Sequence, residues 1–165
     1  MNVSPLTLNK TNFAQNVLQK IQEYNIDPSR LICEITESSL IENFDHVIHI
    51  IRHLNNYKIR FALDDFGSGY SSLAYIEELP IDILKIDRIL IKHLSKDTKK
   101  IPILEMIIQL AHKLSLKTVA EGVENETELN ILRNLECDYA QGYLLGKPMP
   151  KESLLELLSK IHNRK

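Results

Sequence analysis

The feature that most constrains this 165-residue chain is a regular alternation of short apolar runs with amphipathic segments. Runs of strand length are read at Leu31 to Ile35, Ile59 to Leu63, Ile81 to Ile86, Leu116 to Ala120 and Cys137 to Leu145. Between them, apolar residues recur at helical spacing: Phe13, Val17, Leu18 and Ile21 within 12–24, and Val47, Ile50, Ile51 and Leu54 within 45–56. Further helices are expected over 70–79, 97–114, 126–135 and 151–162, the last carrying Leu154, Leu155, Leu157, Leu158 and Ile161 on one side. Pro102 falls in the first turns of its helix, where proline is tolerated. Residues 1–8 read as a strand tail entering a loop at Pro5, and Thr11 as the cap of the next helix. Strand–helix units of about 22 to 35 residues predict an α/β fold with a mostly parallel sheet. No internal repeat, low-complexity tract or linker divides the chain, so residues 1–165 are expected to form one domain.

A net charge of −2 gives no support for binding DNA or RNA polymers or an anionic membrane. No apolar run reaches the roughly 20 residues that a membrane span needs. The N-terminus has neither the basic start nor the apolar core of a signal peptide. Cys33 and Cys137 each lie in an apolar run and are expected to be reduced core residues of a cytoplasmic protein. His46, His49 and His53 share a helix face, which is expected to be solvated rather than metal-binding.

Chemistry gathers where the apolar runs end. In order, the tips carry Asn2, Glu34 with Glu37, Asp64 with Asp65, Asp87, Glu121 with Glu124, and Gln141. Parallel strands place their C-terminal ends on one rim, and in barrel enzymes that rim holds the active site. Adjacent aspartates repel each other unless something offsets their charge, and a divalent cation does so. Oxygen donors without a cysteine or histidine motif suit Mg²⁺ or Mn²⁺ better than Zn²⁺. A cluster large enough for two ions suggests hydrolysis of a phosphate ester. Gly67 and Gly69 allow a sharp turn or a close backbone approach after the pair.

These residues also have structural readings. Glu37 and Glu124 could cap following helices. Gln141 could satisfy buried backbone groups. Lys85, inside an apolar run, is either an exposed edge lysine or a cation pointing into the acids; the second is expected, since a buried ammonium needs partners. Another Mg²⁺-dependent barrel enzyme, such as an enolising lyase, would also place acids and a lysine on strand tips, but would not need an Asp-Asp pair before a glycine loop.

The runs Cys33-Glu34-Ile35-Thr36-Glu37-Ser38, Asp64-Asp65-Phe66-Gly67-Ser68-Gly69-Tyr70-Ser71-Ser72-Leu73, Leu84-Lys85-Ile86-Asp87, Ala120-Glu121-Gly122-Val123-Glu124 and Gln141-Gly142-Tyr143 resemble, in this order, the motifs of the EAL domain. Asn2-Val3-Ser4-Pro5 resembles that family's asparagine segment. The resemblance implies a TIM-like (β/α) barrel that hydrolyses cyclic di-GMP to linear pGpG with two Mg²⁺ or Mn²⁺ ions. It implies metal ligands at Asn2, Glu34 and Asp64, and Asp65 as a ligand of the second metal or of its water, which puts Asp65 among the catalytic residues too. Lys85 would contact the attacking water or the phosphate, and Glu121 would be a second-metal ligand or the general base. Gln141 would lie in the active site, and Glu37 would steady the loop after Asp65. That loop and the helix over 70–79 would couple dimerisation to metal binding.

The Glu-Ala-Leu signature itself does not occur, so the family's first strand and first helix are expected to be absent, leaving about six strands of an incomplete barrel. Three expectations follow: a fragment of a longer phosphodiesterase, a catalytically inactive module that binds cyclic di-GMP or a protein, or a homodimer or partner chain that completes the barrel. For the chain alone, weak or absent hydrolysis is expected.

Overall fold

The computed structural model describes residues 1–41, 43–68, 76–94 and 96–162. Six strands form one sheet: β1 (Asn2–Val3), β2 (Ile32–Thr36), β3 (Arg60–Phe66), β4 (Ile83–Ile86), β5 (Lys117–Glu121) and β6 (Tyr139–Gln141). They lie side by side in chain order and every neighbouring pair is parallel. Strands joined this way need a crossover; among the described residues, helices lie in the connections β1–β2, β2–β3, β4–β5 and β5–β6. Among the described residues nothing pairs β6 with β1, so the sheet is an open α/β arc rather than a closed barrel.

Register sorts the side chains onto two faces. Val3, Ile35, Leu63 and Leu84 stand in one row with Thr118, and all five are buried. This is the face that the helices cover. Phe44–Asn55 turns Val47, Ile48, Ile50, Ile51 and Leu54 into the core, and Lys100–Lys113 turns in Leu104, Ile107, Ile108 and Ala111. Each of the buried valine, leucine and isoleucine side chains contributes roughly 1.5–3 kcal/mol by leaving water. The opposite row runs Asn2, Glu34, Ala62, Ile83, Lys117; two residues further along their strands stand Asp64 and Lys85, and four further along β5 stands Glu121. Period-two alternation therefore puts the chemical residues on one face before any side-chain contact is considered.

Several elements depart from expectation. Pro5 begins a helix, Pro5–Leu8, rather than leading into a loop: proline occupies its first turn and Ser4 accepts from the Thr7 amide. Asn12, not Thr11, precedes the Phe13–Glu23 helix, and it makes no side-chain cap. The last strand stops at Gln141 because Leu145 and Gly146 fold back to donate to the Gly142 carbonyl. Arg88–Ile91 forms a short helix, capped where Asp87 Oδ1 accepts from the Ile89 amide at 2.7 Å. Of the helix expected over 70–79, residues 70–75 lie outside the described residues.

At the far end of the sheet from the acidic tips, Asp138 ties three elements together. Its oxygens accept from Lys117 Nζ at 2.6 Å, the Thr118 amide at 2.9 Å and Thr118 Oγ1 at 3.0 Å, and pair with His112 Nε2 at 2.9 Å. Burial opposes its charge, but these bonds outweigh burial and hold the Asp138 carboxyl far below the usual carboxylate range. Both thiols are free. Burial pushes the Cys33 thiol up to about 11 and also raises that of Cys137, so both are poor nucleophiles. His49 and His53 are exposed and His46 half-buried.

Candidate metal centre

Lys85 is the hub of the acidic rim. Its Nζ lies 2.7 Å from Glu121 Oε1, 2.8 Å from Asp64 Oδ1 and 2.9 Å from Glu34 Oε2. β2, β3 and β5 thus each send one carboxylate to a single ammonium on β4. The lysine side chain is 9% exposed; those of Asp64, Glu121 and Glu34 are 16%, 22% and 27% exposed. Burial works against the ammonium charge, yet the bonds from Asp64, Glu121 and Glu34 outweigh it and hold the Lys85 pKa above that of an ordinary lysine. It is not the exposed edge lysine of the alternative reading.

Asp65 joins through a break in the strand. Leu63 pairs with Leu84 and Phe66 with Ile86, so Asp64 and Asp65 together stand opposite Lys85. That is a β-bulge, with one extra residue on β3. Asp65 takes φ +58°, the left-handed region, and donates its amide to Asp64 Oδ1 at 3.1 Å. In an unbroken strand, consecutive side chains would face opposite sides of the sheet. Here one oxygen from each of Asp64, Asp65 and Glu121 falls within 4.8 Å of the others. Burial, then the charges of Asp64 and Asp87, push the Asp65 carboxyl above the usual range. Such a set of hard oxygen donors fits a divalent cation of the Mg²⁺ or Mn²⁺ kind.

The other expected residues are spread around this centre. Asn2 stands in register with Glu34 and is exposed at the open side of β2. Gln141 stands in register with Glu121 on β6 and is also exposed. Asp87 caps the Arg88–Ile91 helix, and its negative charge is one of those that raise the Asp65 carboxyl. Glu37, partly buried, follows β2 directly. Gly67 has φ +94°, and a β-carbon there would meet Leu90 Cδ1 at 2.5 Å, so the turn after the pair needs its glycine. Gly69 lies outside the described residues. Glu124 is not a helix cap: Asn125 fills that role, accepting from the Glu128 amide at 3.0 Å.

Three supporting residues were not evident from sequence. Gly122 has φ +71°, and a β-carbon there would strike Arg88 Cβ. A β-carbon on Gly142 would sit inside the backbone of Val123, whose amide donates to Gln141 O at 3.1 Å. Glu128 is a buried carboxylate, 3% exposed, behind the Glu121 loop. Its spacing from Asn125, a capping residue followed three positions later by Glu, is the signal that could have found it.

With this geometry in place, comparison with known proteins is specific. The family described as EAL domain matches residues 1–148. The bifunctional diguanylate cyclase/cyclic di-GMP phosphodiesterase MucR of Pseudomonas aeruginosa is 40% identical over 155 residues, covering 94% of this chain and 23% of that protein. The cyclic di-GMP phosphodiesterase NbdA of the same organism is 37% identical over 158 residues, covering 96% of this chain and 20% of that protein. This chain therefore spans about a fifth of the length of these relatives. A solved PaMucR phosphodiesterase in complex with c-di-GMP superposes with TM-score 0.87 at 40% identity, covering 93% of this chain and 62% of that one. A manganese and cyclic di-GMP complex of Klebsiella pneumoniae BlrP1 gives TM-score 0.81 at 26% identity, covering 87% and 37%.

Proposed function

The chain belongs to the EAL domain family, and on that premise we propose that its strand-end cluster serves hydrolysis of cyclic di-GMP to linear pGpG. The observation that carries this is the convergence of Glu34, Asp64 and Glu121 on Lys85, with Asp65 brought to the same face by the bulge. Asn2, Glu34, Asp64, Asp65 and Glu121 would hold two divalent ions, Mg²⁺ or Mn²⁺. When bound, these ions would lower the pKa of a water and neutralise charge on the scissile phosphate.

The chain's own residues then have distinct tasks. Glu121 accepts the proton of the attacking water. The water oxygen bonds to phosphorus, one P–O bond breaks, and the departing ribose oxygen takes up a proton. Lys85 keeps a positive charge beside the carboxylates and beside the negative charge that develops on the phosphoryl oxygens. Asp87 acts on the Asp65 carboxyl through its negative charge, and Gln141 offers an amide at the β6 side of the site. Glu37 and Glu124 support the loops after β2 and β5.

We take residues 1–165 as one domain working in the cytoplasm, a compartment that the two free thiols suit. No helix among the described residues is long and apolar enough to cross a membrane. Among the described residues the outer edges of β1 and β6 have no strand partner, which supports a further strand, from a second copy or another chain, closing the arc. With the arc open, hydrolysis by the 165 residues alone is expected to be weak or absent.

The test is incubation of the purified chain with cyclic di-GMP and Mn²⁺, following pGpG by chromatography, beside Glu121→Gln. Turnover lost in the variant supports the proposal. Binding of cyclic di-GMP that survives Asp64→Ala and Glu121→Ala without turnover would favour the alternative, a binding or protein-interaction module. Neither binding nor turnover, even with the arc closed by a supplied partner, would end the reading.

A further inference from the structure

Glu128 is an expensive residue to bury, and nothing in the chemistry above uses it. It lies at the third position of the Glu126–Asn134 helix, 3% exposed. Acids at such capping positions reach back to a neighbouring backbone amide. One oxygen does so: Glu128 Oε2 accepts from the Glu124 amide at 3.0 Å. The other goes elsewhere in the chain. Oε1 accepts from the His93 amide at 3.2 Å, 35 residues away in sequence.

These two amides belong to the segments that leave the two strand ends at the heart of the site. Glu124 closes the turn Glu121-Gly122-Val123-Glu124 after β5. His93 closes the segment after β4, beyond the Asp87-capped helix, and has φ +64°. The same two segments meet again where Gly122 passes over Arg88. On its other side, the β5 turn is held by Val123, which donates to Gln141 O and accepts from the Leu144 amide, each at 3.1 Å. The turn that carries Glu121 is thus fixed to β6 through Val123 and to the β4 segment through Glu128.

We propose that Glu128 is a positioning residue: by clamping the backbones after β4 and β5, it sets the Glu121 carboxylate against the Lys85 ammonium. Its importance for catalysis rests on the function proposed above; the clamp itself does not. A carboxylate suits this task because it presents two acceptors and no donor to two amides. Glutamine presents one acceptor and an NH₂ group, so one amide would lose its partner. Alanine leaves both unpaired.

The experiment uses the full chain without metal or nucleotide, so failure of the phosphodiesterase reading cannot be mistaken for failure of the clamp. Glu128→Gln, Glu128→Ala and, as a control, Asp138→Asn at the far end of the sheet are compared by amide hydrogen exchange and by ¹⁵N NMR of lysine ammonium groups. In both Glu128 variants, exchange at Glu124 and His93 should quicken by about tenfold or more relative to the core strands. The Lys85 ammonium, losing a fixed Glu121 partner, should shift and exchange its protons faster with water. Asp138→Asn should lower global stability and leave the Lys85 signal in place. If Glu128→Ala does not fold, Glu128→Gln decides. An unmoved Lys85 signal in Glu128→Gln, whether or not the two amides exchange faster, would overturn the proposal and leave Glu128 a helix cap.

Discussion

Replacing Lys85 with methionine tests the electrostatic account of the site most directly. Methionine preserves much of the side chain's length and removes its charge. In the wild type, three charge-assisted hydrogen bonds of 2.7, 2.8 and 2.9 Å converge on Nζ. Breaking a buried ion pair by removing one partner costs about 3–5 kcal/mol. The three carboxylates keep some water, with side chains 16–27% exposed, which moves the expectation to the lower end. We therefore expect Lys85→Met to destabilise the metal-free chain by about 3 kcal/mol at pH 7. With a urea m-value of about 2 kcal/mol/M, the unfolding midpoint should fall by about 1.5 M. The pH dependence carries a sign. Lys85 has a folded pKa above its unfolded value. Its contribution is fully present below the unfolded value of about 10.4, and is lost only as pH rises through the higher folded value. The gap between wild type and variant should thus be nearly intact at pH 10. Urea unfolding followed by circular dichroism in EDTA reads both effects. A midpoint at pH 7 within about 0.3 M of wild type would refute the reasoning, because Lys85 would then not be neutralising the carboxylates around it.

Asp65 and Gly142 offer two further tests, the second with Gly146 as a control substitution. Asp65, whose folded pKa is raised by burial and by the charges of Asp64 and Asp87, penalises the fold above that pKa and not below the unfolded value of about 3.9. Asp65→Asn, which tolerates the left-handed backbone, should raise the melting temperature in EDTA by about 2 °C at pH 7, with the gain gone below about pH 4, and should weaken Mn²⁺ binding measured by calorimetry. Gly142→Ala drives a β-carbon into the Val123 backbone and should cost about 2–3 kcal/mol in urea unfolding, whereas Gly146→Ala, whose nearest neighbour would be Met149 Cε at 3.9 Å, should stay within about 0.5 kcal/mol of wild type.

What the sequence revealed was periodicity and the chemistry of strand tips. Five of the six strands and the helices over 13–23, 44–55, 100–113, 126–134 and 151–162 follow from apolar spacing, which depends only on local order. The face shared by Glu34, Asp64, Lys85 and Glu121 follows from alternation once the strands are known to be parallel. Features set by contacts distant in sequence were not legible. The length of β6 depends on the turn that Gly142 begins, and Glu128 depends on an amide 35 residues away. Asp87 was counted among the strand-tip acids, and its capping of a four-residue helix was hidden because a cap and a ligand use the same residue type in the same place.

The bulge explains why the acids come as an adjacent pair. Leu63 and Phe66 are both buried, so β3 enters and leaves the bulge with apolar anchors. A regular strand between them would turn Asp65 toward the same apolar layer as Leu63, where a carboxylate has no compensating partner. The extra residue and the left-handed φ at Asp65 remove that conflict, at a conformational cost of order 1–3 kcal/mol. Part of this cost is met locally, since Ser68 donates both its amide and its hydroxyl to the Asp65 carbonyl, at 3.1 and 2.8 Å. The rest is strain retained at a site whose carboxylates already oppose one another. A cation bound between Asp64, Asp65 and Glu121 would relieve the repulsion without altering the backbone. The chain thus holds the strained geometry without a cation, with Lys85 as the ammonium that offsets the charge of these acids.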